Sequence, residues 1–155
     1  MAKVFLDPGD TFTIKNNNVS VFGTTGDETV IVDSSASGLV LDSNIETVQF
    51  SGNLSTFQFA QLGNSVRVYD TTGSTLLATI PVQQDGTNLT FSDQTVSAVL
   101  NLTDFIMEIG GTDIGTSPGP VTPQPSQNSA PQVAEDSTNL EIMGQKTMGD
   151  DSQIL

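Results

Sequence analysis

Ten short runs of apolar and β-branched residues, alternating with turn clusters, limit what this chain can fold into. They are TFTI, VSVF, TVIV, GLVL, TVQF, TFQF, VRVY, LLATIPV, LTF and VSAVL. Through the first half they begin about nine or ten residues apart. Four residues make a usable strand of roughly 13 Å but barely more than one turn of helix. Phe, Val, Ile and Thr dominate the runs, as suits a half-buried pleated surface. Only Val96 to Ile109 could be placed on a helix, and its branched residues suit a strand equally well. The chain reads as all-β.

Two styles of β-structure follow one another. Up to Phe50 the runs are very short and the turns lack hairpin signatures, which predicts rungs of a short β-solenoid or roll. From Phe57 onward reversal signals appear: LGNS at 62–65, DTTGS at 70–74 and QQDGTN at 83–88. With Gly63, Gly73 and Gly86 supplying positive φ, they predict a small antiparallel sheet. Within FQFAQLGNSVRVYD, Phe57, Phe59, Val66 and Val68 alternate with polar residues, as in a hairpin buried on one face.

The core must come from the first two-thirds of the chain, because all eight Phe and Tyr69 lie between Phe5 and Phe105. We expect a β-rich structural domain over 1–112. Five of the seven prolines fall between Pro118 and Pro131, which predicts an extended, solvated linker over 113–132. Residues 133–155 carry no aromatics and few branched apolar residues. They read as a flexible acidic tail, serving as a secretion signal or a strand-exchange segment.

Charge and missing residue types remove whole classes of function. Eighteen Asp and Glu against four Lys and Arg give a formal charge of −14. Nucleic acid and anionic membrane surfaces call for clustered cations, so neither is an expected partner. No apolar run approaches the ~20 residues of a membrane span. Without Cys there is no disulfide or thiolate site, and without His the usual general base is missing. Acidic pairs could in principle cleave glycosides, but these carboxylates lie in turns with no run of aromatics to hold a sugar. The expectation is a non-enzyme. MAKVFLDPGD has no charged-then-apolar pattern, so no cleavable N-terminal secretion signal is expected.

One turn carries a sharper motif. In GTTGDETV, Gly23 to Val30, two glycines precede an acidic pair and an apolar residue. The stretch resembles the glycine- and aspartate-rich nonapeptide of RTX, or haemolysin-type, proteins. Gly23, Gly26 and Val30 match its pattern, while Thr24 replaces the second glycine and Glu28 stands where aspartate is usual. Residues 18–112 are similar to a module of type I-secreted bacterial surface proteins, both adhesins and S-layer-like proteins. NSAPQVAEDS (128–137) resembles the entry of a cadherin-like repeat, and DDSQIL resembles the ending of an uncleaved type I secretion signal.

That resemblance implies calcium, with Asp27, Glu28, Asp33 and Asp42 as candidate ligands. Since Ca²⁺ takes about six to eight oxygens, several stacked copies of the motif would have to share each ion. The competing reading makes Gly23 and Gly26 plain turn residues, with the acids bonding to local backbone. Asp85, in an Asp-Gly turn, is a weaker candidate. The functional expectation is a secreted, non-catalytic structural protein at the bacterial surface or in the extracellular matrix. It would self-assemble as a homo-oligomer or polymer into a filament, surface layer or biofilm matrix. The alternative is a monomeric adhesin that recognises a glycan or a protein.

Overall fold

The computed structural model describes residues 1–124, and Met1–Pro123 form one compact unit. The predicted tail, and the linker beyond residue 124, lie outside the described residues. Strands β1 (Ala2–Phe5), β2 (Thr11–Ile14), β3 (Val19–Phe22), β4 (Thr29–Val32), β5 (Leu39–Leu41) and β6 (Thr47–Phe50) come first. After a 3-10 turn at Leu54–Thr56 come β7 (Gln58–Leu62), β8 (Ser65–Tyr69), β9 (Leu76–Pro81), β10 (Thr87–Thr90), β11 (Thr95–Asn101), β12 (Ile106–Ile109) and β13 (Thr112–Asp113). The fold is all-β, built from two mixed sheets that do not close. Their strand orders are β1-β3-β5-β9-β8-β7 and β13-β12-β11-β10-β6-β4-β2. No helix among the described residues is long and apolar enough to cross a membrane.

Up to β6 consecutive strands alternate between the sheets and pair in parallel with the strand two places on; β5 then pairs with β9 and β6 with β10. β1, β3, β5 and β9 form the parallel half of the first sheet, and β2, β4, β6 and β10 that of the second. We call each such pair a tier: β1/β2, β3/β4, β5/β6 and β9/β10. Corners from the first sheet to the second (residues 6–10, 23–28, 42–46 and 82–86) line what we call the first flank. The return corners at 15–18 and 33–38 line the second flank.

The tiers stack because inward positions fall in register. Phe12 aligns with Val30, Val30 with Val48, and Val48 with Leu89. Ile14, Val32 and Phe50 make a second column, and Val4, Val21 and Leu41 a third. Parallel pairing in register puts each residue on the same face as its partner, so columns of apolar side chains fill the space between the sheets. Phe50, Phe57, Phe59 and Phe91 thicken the later half, with ring centroids 5.3–6.0 Å apart.

The antiparallel strands are not the separate sheet that the turn signals suggest. They widen the same two sheets: β7 and β8 extend the first beyond β9, and β11 to β13 extend the second beyond β10. The turns at Gly63 (φ +59) and Gly73 (φ +75) are hairpins as read. QQDGTN is not, because β9 and β10 lie in different sheets and the turn carries the chain around a corner. Leu89 decides this, since it continues the Phe12–Val30–Val48 column only if β10 joins β6. The stretch Val96 to Ile109 forms β11 and β12.

Residues 113–123, read from their prolines as the start of a linker, fold back onto the domain. Gln61 N–H donates to the Gly115 carbonyl (2.7 Å), and Phe59 and Gly119 exchange backbone bonds of 2.8 and 3.1 Å. Ile114 and Val121 are buried. Proline lacks a donor but keeps an extended backbone, which a sheet edge accepts. One end of the molecule is closed in this way. At the other end, among the described residues, no strand pairs with the outer edges of β1 and β2.

Candidate functional site

The first flank gathers most of the acidic residues that matter. Asp10, Glu28 and Glu46 stand at equivalent corners just before β2, β4 and β6. Their carbonyls accept from Thr29, Thr47 and Asn88 N–H at 2.9, 3.2 and 2.9 Å, tying each tier to the next. Their carboxylates are engaged as well. Asp10 Oδ2 accepts from Asp7 N–H at 2.8 Å, and Glu46 Oε1 from Glu28 N–H at 2.7 Å. Glu28 is fully buried; its two oxygens accept from Thr24 N–H (3.2 Å) and Thr24 Oγ1 (2.5 Å). Asp42 Oδ1 accepts from Gly23 N–H in the preceding tier and Asn44 N–H in its own turn, both at 3.1 Å.

Of the four candidate calcium ligands, Asp27, Glu28 and Asp42 therefore share the first flank, and Asp33 does not. Asp33 sits on the second flank, where Oδ1 accepts from Ser35 N–H (2.9 Å) and Ser35 Oγ (2.8 Å). Asp27 is exposed. Among the described residues no group of three or more His, Cys, Asp or Glu is arranged to hold a metal ion. The four residues do not fit one calcium shell, because strand alternation sends successive corners to opposite flanks and turn N–H groups occupy the buried oxygens. Gly23 and Gly26 have a packing reason of their own. A Cβ on Gly26 would lie 2.5 Å from Pro8 Cβ, and one on Gly23 would lie 2.8 Å from Ile45 Cδ1.

The second flank carries a small cavity, about 210 Å³, rimmed by Asp33, Asp70, Phe57, Thr71 and Leu77 among others. Hydrogen bonds from Ser35 hold the Asp33 carboxyl below its ordinary value, with Lys15 adding a smaller pull. Thr72 does the same for Asp70, helped by Thr75 and Ser74. Such carboxylates are ionised acceptors at neutral pH, unsuited to moving protons.

Two apolar features stand outside these corners. At the open end, Phe12 heads a core column yet is 45% exposed, whereas Val30, Val48 and Leu89 behind it are 0% exposed. With Val4, Ile14 and Val19, and with the polar Lys15, Asn16 and Asn17, it lines an opening of about 440 Å³ between β1 and β2. Near the closed end, Leu102 and Phe105 are exposed on the β11–β12 turn, and Phe105 borders Gln61, Gly63 and Asn64 of the β7–β8 turn. Phe105 is 66% exposed and has φ +63, a left-handed conformation strained for a bulky residue. Gln61 fixes that turn by donating from Nε2 to the Phe105 carbonyl (2.9 Å).

Reading the sequence singled out Glu28 and Asp42 but missed Asp10, Glu46, Phe12 and Phe105. The first three were marked by the recurrence of DTFTI, ETVIV and ETVQF, whose acidic residues stand at 10, 28 and 46. Phe105 had no comparable signal. Compared with protein-family models, with curated proteins and with solved structures, the chain gives no match.

Proposed function

We propose that this chain is a secreted, non-catalytic structural protein of a bacterium, which works by associating with further copies at the cell surface or in the extracellular matrix. The observation that carries the reading is the open tier. Among the described residues β1 and β2 each leave one edge unpaired, and Phe12 at the head of its column is 45% exposed. Free strand edges and an uncovered core favour association. In this reading the four tiers are a short β-roll whose first turn is completed by another molecule. Type I secretion follows from the resemblance of the module and of the DDSQIL ending. The corner carboxylates already satisfy turn N–H groups, so calcium is assigned no step.

The test is sedimentation velocity and electron microscopy of the full chain, with added calcium and with a chelator. Assemblies that form in both conditions support the reading. A monodisperse monomer at every concentration overturns it. A second reading, a monomeric adhesin with a protein partner, is favoured by the strained and exposed Phe105, with exposed Leu102 on the same turn. Aromatic anchors of that kind are common at interface hot spots.

A further inference from the structure

We propose that the open end is covered by the open end of a second copy, related by a two-fold axis, so that β1 pairs antiparallel with β1 and β2 with β2. This rests on the self-association proposed above and specifies its geometry.

The two ends of the molecule are not complementary to each other. At the closed end the edge of β7 is taken up by Gly115–Gly119, and Ile114 and Val121 lie buried there. A copy arriving head to tail would meet no pair of free strand edges. Another open end offers what is lacking: two four-residue strands, each with one edge free among the described residues, and the same apolar residues, Val4 and Phe12. Isologous contacts of this sort close on themselves and leave neither core exposed.

Charge then selects between the two possible two-fold arrangements. Asp7 and Asp10 lie at the open end of the first flank, while Lys15 lies at the open end of the second; all three are exposed. Pairing β1 with β2 of the second copy would place first flank on first flank, so Asp would meet Asp and Lys15 would meet Lys15. Pairing β1 with β1 and β2 with β2 places first flank on second, bringing Asp7 and Asp10 opposite Lys15 at both ends. Inward faces must coincide across antiparallel partners. Setting Val4 against Val4 and Phe12 against Phe12 meets that requirement and places Lys3 against Phe5 of the second copy.

The chain has no cysteine, which makes cross-linking clean. Full-length Val4→Cys should form a disulfide-linked dimer on mild oxidation, because only an isologous contact brings a residue to its own copy. Ser97→Cys, exposed on β11, should not. By sedimentation equilibrium Lys15→Glu and Asp7→Lys should each weaken the dimer about tenfold or more, and the double variant should recover most of the loss. Phe12→Asp should weaken it at least a hundredfold, with far-UV circular dichroism confirming the fold. Association without Val4→Cys cross-linking, or without recovery in the charge-swapped pair, overturns this geometry and leaves self-association standing. A wild-type chain that stays monomeric overturns both.

Discussion

Replacing Glu28 separates a structural corner from a cation site. Glu28→Ala removes the acceptor for Thr24 N–H and Thr24 Oγ1. A part-buried donor left without its partner costs about 1–3 kcal/mol. The one lost methylene, Cγ, buried in this fully covered residue, costs roughly 0.8 kcal/mol more. Relief from desolvating a carboxylate offsets part of the sum. The expected net destabilisation is about 1–3 kcal/mol. Glu28→Gln keeps the shape and one acceptor for Thr24 N–H, while the Thr24 hydroxyl can rotate to accept from the new amide. Its expected cost is within about 1 kcal/mol. Urea unfolding followed by far-UV circular dichroism, in calcium and in chelator, measures both. The reasoning fails if Ala is as benign as Gln. It fails equally if Gln costs as much as Ala in calcium alone, since charge would then matter through a bound cation.

Other expectations follow from single contacts. Gly26→Ala drives a Cβ into Pro8 and should cost about 1–3 kcal/mol, whereas Gly9→Ala meets open space and bears only its φ of +85, about 1 kcal/mol; thermal melts compare the two. Asp33 and Asp70 are held below their ordinary 3.8 in the folded chain. Their contribution is therefore complete above that value and fades as pH falls through the folded values below it. Asp33→Asn should lower the urea midpoint at neutral pH and flatten the acid limb of a midpoint-against-pH curve, the two chains converging at low pH. Phe105→Gly relieves a left-handed aromatic (φ +63) and should leave stability unchanged or raise it by up to about 1 kcal/mol. A loss of that size or more in urea unfolding would mean that the Phe105 ring packs usefully in the free molecule.

Class and punctuation were legible in the residues. Strand segments of four with inward Val, Ile and Phe have one way to bury their apolar side, so two facing sheets follow from local pattern. Turn glycines at 63 and 73 announced their hairpins through the φ they adopt. The same reasoning misread Asp85-Gly86, because a turn dipeptide sets local curvature and not which sheet receives the next strand. That choice belongs to Leu89, whose place in the Phe12–Val30–Val48 column is a contact across 41 residues from Val48. Prolines at 118, 120 and 123 misled for a related reason: an extended backbone looks the same in sequence whether water or β7 lies beside it.

What the amino acids alone determined was local: strand length, the inward-outward alternation, corner positions, and the absence of cysteine and histidine side chains. Only the tertiary structure decided which corners share a flank, and so that Glu28 and Asp42 are neighbours while Asp33 is not. It alone decided which end of the columns stays open. Alternation between sheets acts over two strands at a time, and the covering of the closed end depends on chain more than fifty residues away, where Gln61 meets Gly115 and Phe59 meets Gly119. Distances of that order are set by packing, which no window of neighbouring residues contains.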